Sequence, residues 1–274
     1  MNRLITPILI LLIYFIPACS TTPQQYTELE TREVSAVDTQ SILVQVDYGE
    51  VTIFESEDDH VEVGGQVLFA HDLEYQVSST EEQISIKVFA HRDGTSNPPL
   101  RVFVYIPKQH QVKVETGNAS VFVQNYQGDL EAASISGNMT IEQMVGKMTL
   151  RSNRGNVTVR ESSGTISAVG NYGALTMQNV SGETAVSTIM GNVIFDGLVQ
   201  MGDTVRLETD HGPVSVNLSQ DSDLGIQVRS TSGDVSCMPG ITSTTRTCDG
   251  EIGSGDGNLS IRTVSGAVTV QLTP

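Results

Sequence analysis

The chain has 274 residues, 32 acidic against 15 basic, giving a formal charge of −17 at neutral pH. So acidic a surface repels the phosphates of nucleic acid and of anionic lipid headgroups, both of which need basic patches, so nucleic-acid binding is excluded as a function class. Trp is absent and aromatics make up 5%, which argues against a carbohydrate-stacking platform.

At the start of the chain, Arg3 is the only charge among the first nineteen residues, and Leu4 to Phe15 is almost wholly apolar. The run is too short to span a bilayer, which takes about 20 residues. A basic start, a short apolar core and a small residue before the cut describe a secretory signal peptide. Its end, Ile16-Pro17-Ala18-Cys19, resembles the bacterial lipobox. That resemblance implies cleavage after residue 18 and acylation of Cys19 with palmitate-class chains; more than one chain gives stable membrane attachment. Ser20, where Asp would signal inner-membrane retention, directs the expectation to the outer membrane of a Gram-negative cell. In a Gram-positive cell the anchor sits on the outer face of the plasma membrane. Besides Cys19 the chain has two cysteines, Cys237 and Cys248. An even remainder in an oxidising compartment predicts one disulfide, the alternative being two independent buried thiols.

Residues 19–36, rich in Thr, Pro, Gln and Glu, read as a flexible tether. Residues 37–115 read as an antiparallel β-rich part. Ile42 to Asp47 alternates, turns at Tyr48-Gly49-Glu50 and continues as Val51 to Phe54; Ile84 to Val88 and Val102 to Ile106 alternate cleanly. Alternation over four to six residues between turn residues marks strands, and nothing here has helical period.

Residues 116–274 are governed by a repeat. Glycine recurs every nine residues at Gly128, Gly137, Gly146, Gly155, Gly164, Gly173, Gly182 and Gly191. Two and four residues after each glycine the side chain is apolar at fifteen of sixteen positions, Thr184 being the exception, and between them stands a mostly polar residue such as Thr140, Thr158 or Thr176. Each unit is therefore a strand with an inward pair, closed by a turn. Asn follows alternate glycines (Asn138, Asn156, Asn192), Ala174 being the exception, so the true period is eighteen residues: one coil of two strands. Units so short cannot bury their own apolar face and must stack. Stacked coils bring identical positions about 4.8 Å apart, which favours an Asn ladder; a meander gives no reason for one. The expected fold is all-β: a β-solenoid of 18-residue coils preceded by the antiparallel segment. Cys237 falls on an inward position, so a bridge to Cys248 pins the Met238 to Gly255 insertion against the edge of the core.

No catalytic motif emerges. The unit lacks the paired glycines and Asp of the calcium-binding β-roll, and calcium takes six to eight oxygens. The histidines (His60, His71, His91, His110, His211) have no metal-ligand spacing. Asp210-His211 and His71-Asp72 are neighbours that point to opposite faces of a strand. Arg151 and Arg160 lie half a coil apart, on opposite sheets. No metal, cofactor or catalytic residue is expected.

Ser136-Gly137-Asn138, Ser232-Gly233-Asp234-Val235 and the closing Thr263 to Val270, after a lead-in ending in Val104-Tyr105-Ile106-Pro107, resemble the bacterial putative-adhesin family of β-strand-repeat proteins, a domain of unknown function. The resemblance covers about residues 40–274 and implies a β-helix-like fold and envelope exposure; it brings no catalytic residues. The expected function is a lipid-anchored, non-catalytic envelope scaffold or adhesion surface, whose partners are the membrane through Cys19 and another envelope protein or surface polymer. The alternatives are a carbohydrate-active β-helix enzyme, which requires carboxylates beside Arg or Lys on one flank, and an envelope-stress or signalling accessory protein.

Overall fold

The computed structural model describes residues 26–37, 39–68, 73–90 and 100–273. The leader with Cys19, and His71, Asp72 and His91, lie outside them. In chain order the first strands are β1 (Thr27–Ser35), β2 (Ser41–Ser56), β3 (His60–Val67), β4 (Leu73–Ser79), β5 (Gln83–Ala90), β6 (Leu100–Pro107) and β7 (Gln111–Gln124). Next come β8 (Asp129–Ser134), β9 (Met139–Glu142), β10 (Val145–Ser152), β11 (Val157–Arg160), β12 (Ser163–Tyr172), β13 (Leu175–Gln178), β14 (Ser181–Met190) and β15 (Val193–Gly197). The last are β16 (Thr204–His211), β17 (Val214–Ser219), β18 (Leu224–Ser230), β19 (Val235–Cys237), β20 (Thr242–Ser243), β21 (Thr247–Ile252), β22 (Gly257–Thr263) and β23 (Val268–Thr273).

Two parallel sheets face each other, and each coil gives one strand to each. In the repeat the register is i to i+18: Leu130, Met148, Ile166 and Thr184 stack in sheet A, and Met139, Val157, Leu175 and Val193 in sheet B. The inward pairs of both sheets make one continuous core. The eighteen-residue, two-strand coil and its inward pairs are as the sequence predicts.

The coils begin earlier than the glycine repeat. β2 and β7 each bend midway and supply a strand to both sheets, pairing in parallel from Ser41↔Gln111 to Phe54↔Gln124. β5 and β6 pair in parallel with the two halves of β2. Antiparallel pairing in this lead-in is confined to β1–β3, β3–β6 and β4–β5, which close the first end. Residues 27–35, read from sequence as tether, form β1, whose Leu29 and Val34 pack on the edge of the core. Across this end Arg32 lies 4.4 Å over the Tyr75 ring and donates to the Tyr75 carbonyl (3.2 Å), while the Tyr75 hydroxyl reaches the Val63 carbonyl (3.0 Å).

Neither end follows chain order. β2 enters first yet lies second, between β5/β6 and β7. At the far end β22/β23 returns to fill the place between β16/β17 and β18/β19. β21 then pairs antiparallel with β18. Cys237 of β19 and Cys248 of β21 are disulfide-bonded with Cα atoms 6.6 Å apart, so the bridge ties the last strand of sheet B to the strand that closes sheet A.

The corners have their own chemistry. From sheet A to sheet B an inward Ser or Thr stands three residues before the glycine. Ser152 Oγ accepts the Gly155 N–H (2.9 Å) and donates to the Gly155 carbonyl (2.8 Å); Ser134 and Thr263 accept from Gly137 (2.8 Å) and Gly266 (2.9 Å). The Asn ladder exists but runs from side chain to backbone: Asn138 Oδ1 accepts the Asn156 N–H (3.0 Å), and Asn156 Oδ1 the Ala174 N–H (2.8 Å). At the return corner Asn125, Gln143, Glu161 and Asn179 are left-handed, with φ of 52°, 54°, 48° and 51°.

Thr184, the polar exception among the paired inward positions that follow the repeat glycines, is 1% exposed and its Oγ1 has no hydrogen-bond partner. A buried hydroxyl stripped of water and left unpaired destabilises, whereas a methyl of the same shape does not. Thr184→Val is expected to stabilise the protein by about 1 kcal/mol, read as a rise in the urea or thermal midpoint; a fall would show that the hydroxyl is solvated.

Candidate functional site

The outer face of sheet A carries a groove of about 610 Å³ running across several coils near the corner to sheet B. It exists because small residues, Gly117 and Ala133, stand where neighbouring coils present long side chains. In one outward column Glu115, Ala133, Arg151 and Val169 are successive register partners, so Ala133 leaves a hollow between a carboxylate and a guanidinium. Phe89, Ile135 and Val169 give the groove its apolar lining. Asn171 Nδ2 donates to Asn153 Oδ1 at 3.0 Å across its far end.

The rim is charged and ordered. Glu115 accepts from Lys113 Nζ (2.9 Å) and Gln45 Nε2 (2.8 Å), and Arg151 pairs with Glu131 at 3.3 Å. The hydrogen bond from Lys113, followed by that from Gln45, holds the Glu115 carboxyl below the usual carboxylate range. It is therefore ionised at neutral pH, an acceptor rather than a proton donor.

The apolar character extends past the groove. Twelve large apolar residues are exposed among the described residues; Ile135, Val169, Tyr172, Ile189, Met190 and Val264 lie along this one corner. Half of the total thus lies on one edge, interrupted by Asn153 on the β10 coil and by Asp210 and His211 on the β16 coil. From Phe89 of β5 to Val264 of β22 it crosses eight coil spacings, about 38 Å at 4.8 Å each.

Of the residues singled out from sequence, Arg151 lies on the groove and the others described do not. Cys237 and Cys248 sit at the end of the stack, and Cys19 is outside the described residues. His110 faces the carbonyls of Pro107, Lys108 and Ala36. His211 Nδ1 lies 2.7 Å from Ser265 Oγ on an exposed turn, and Ser265 in turn donates to the Asp210 backbone carbonyl rather than to a carboxylate. Arg151 and Arg160 occupy opposite sheets, on β10 and β11, as their spacing implies; Arg160 pairs with Glu142 at 3.4 Å. Among the described residues no group of three or more His, Cys, Asp or Glu is placed to hold a metal. The groove itself was not singled out from sequence. Its signal is present there: Ile135 and Val264 are apolar in the turns after β8 and β22, where solvent favours polar residues, and Ile189 and Met190 end β14 with two exposed apolar side chains in a row.

Crystal structures that align with most of this chain do so at low identity and low TM-score. A protein of Parabacteroides distasonis described as a putative adhesin is 14% identical, covers 92% of this chain and 98% of its own, and gives a TM-score of 0.48. A putative lipid binding protein of the same species is 12% identical over 89% of this chain and 96% of its own, at 0.42. A putative cell adhesion protein of Clostridium sporogenes is 10% identical over 91% and 100%, at 0.33. No curated protein matches the sequence. The family model described as Toastrack DUF4097 matches residues 39–271, from the first coil to the last strand, and the chain belongs to that family.

Proposed function

We propose that this is a lipid-anchored envelope protein whose solenoid is a non-catalytic stalk that engages another envelope protein or a surface polymer along its apolar corner. The observation that carries this is the groove and its continuation as a stripe of exposed Ile, Val, Tyr and Met on one edge of an otherwise polar, acidic surface. The leader supports the address: residues 1–18 are removed and Cys19 is acylated, at the outer membrane of a Gram-negative cell or the outer face of a Gram-positive plasma membrane. In that oxidising compartment Cys237 and Cys248 form their bridge.

A photo-crosslinking residue at Val169 tests it in intact cells, with Thr176 on the outer face of sheet B as control. The expected result is a discrete adduct from Val169 alone, lost on Ile135→Asp and reduced when Cys19→Ser releases the chain from the membrane. Equal adducts from both positions would sink the corner as the contact surface.

The carbohydrate-active reading has one observation in its favour: Glu115 and Glu131 lie beside Lys113 and Arg151 at the groove rim. Cleavage of an envelope polysaccharide that Glu131→Gln abolishes would move the assignment there.

A further inference from the structure

The sequence after residue 160 holds twelve acids and four basic residues, Arg206, Arg229, Arg246 and Arg262. Topology gathers three of these four. Because β22 returns to lie between β16 and β18, Arg206, Arg262 and Arg229 come together on the outer face of sheet A, on coils beyond those that line the apolar groove, around a polar concavity of about 440 Å³ lined also by Glu208, Gln227 and Ser260.

The pairing inside it is uneven. Glu208 is the acid in the pocket, and Arg206 holds it with two bonds to one oxygen, from Nε (3.0 Å) and Nη2 (2.7 Å). Arg262 stands between two register partners, Glu208 on β16 and Arg229 on β18. The bonded Glu208 oxygen is turned to Arg206, and neither Arg229 nor Arg262 has a carboxylate within ion-pair distance among the described residues. Elsewhere on these sheets Arg151 and Arg160 each have an acid one coil away, at 3.3 Å and 3.4 Å. Like charges directly opposite across two strands repel. Strands about 4.8 Å apart set the two arginines side by side on one face, so that two guanidiniums can reach two oxygens of one oxyanion.

We propose that Arg229 and Arg262 bind an oxyanion, the phosphate or carboxylate of an envelope ligand, with the Ser260 hydroxyl and the Gln227 amide as supporting donors and Arg206 held back by Glu208 at the rim. The site gives an acidic protein one place where a negatively charged ligand is welcome. It is separate from the corner groove and stands whether or not that groove is occupied.

The full-length protein in phosphatidylcholine-containing micelles is titrated calorimetrically with inorganic phosphate and with galacturonate, and phosphate titration is repeated with phosphatidylglycerol in the micelle. The expected result is saturable binding that weakens at least tenfold in Arg229→Gln and in Arg262→Gln, is unchanged in Arg160→Gln, and falls with added salt. Suppression of phosphate binding by phosphatidylglycerol assigns the site to a lipid headgroup; its persistence assigns it to a soluble or polymeric oxyanion. Without ligand, Arg229→Gln, whose register partners are Arg262 and Thr247, is expected to keep or raise the thermal midpoint because it removes a repulsion, whereas a merely structural arginine would lower it. No binding of either anion by the wild type, equal binding by Arg262→Gln, or self-association that Arg262→Gln abolishes in place of anion binding would each overturn the proposal.

Discussion

Phe195→Ala is expected to lower stability by about 3–5 kcal/mol, the range for removing a buried ring. Phe195 is fully buried in β15, stacked between Met177 and Val216, its register partners on the coils to either side. The void cannot close, because backbone ladders on both flanks fix the coil spacing at about 4.8 Å, which puts the cost towards the upper end. Each coil touches mainly its neighbours, so the damage is local. Amide exchange should accelerate in β13, β15 and β17 and stay slow in β8 and β9. Phe122, whose ring lies on the outer face of β7, provides the contrast: Phe122→Ala should cost less than about 1 kcal/mol, as surface substitutions do. Equal losses at the two positions in urea denaturation would show that the inward column is not what holds the coils together.

The interior of the solenoid was legible because two periods coincide in it. The alternation of Met148 and Leu150 with Thr149 fixes which side faces in, and the glycine spacing fixes where each strand ends. Together they leave one register, i to i+18. The ends were not legible in the same way. Every coil offers the same two apolar faces, so the pattern in Ile42 to Val46 or in Leu259 to Ile261 says which residues point inward but not which coil they dock upon. Partners 70 residues apart, Ile42 and Val112, and 54 apart, Val205 and Leu259, are fixed by which edge is open when the strand arrives. Periodicity carries no information about that. The same holds for both candidate sites. Ala133 is a hollow only because Glu115 and Arg151 flank it on other coils, and Arg229 meets Arg262 only because β22 turns back. The hydroxyl corner, by contrast, was written locally as Ser or Thr three residues before glycine, at Ser134, Ser152 and Thr263, a spacing that the nine-residue count passes over.

Gly155→Ala is expected to destabilise by about 3 kcal/mol, at the upper end of what overpacking costs. A Cβ there would strike the Gly137 carbonyl oxygen and lie 2.6 Å from the carbonyl carbon. The carbonyl cannot yield, since its coil is held by the Ser134 bond to the Gly137 N–H and its own corner by the bonds of Ser152. Gly155 is not in the left-handed region, so its need for glycine is steric. In the alternate phase Gly164, with φ of 124°, has both a left-handed backbone and a carbonyl in the way, that of Gly146. The nine-residue period thus joins two requirements, steric at Gly137, Gly155 and Gly191 and steric with a positive φ at Gly146, Gly164 and Gly182. Gly173 (φ of 125°) crosses from the first phase to the second, and both requirements arise from the close approach of stacked backbones. Gly225, off the period, separates this from a general effect of glycine. Its nearest neighbour to a new Cβ is 3.8 Å away and its φ is ordinary, so Gly225→Ala should be neutral or stabilise by up to about 1 kcal/mol through the unfolded chain. Thermal and urea midpoints of the two variants, measured side by side, decide the matter: a Gly155→Ala protein as stable as Gly225→Ala would mean that the coils stack further apart than the glycine period requires.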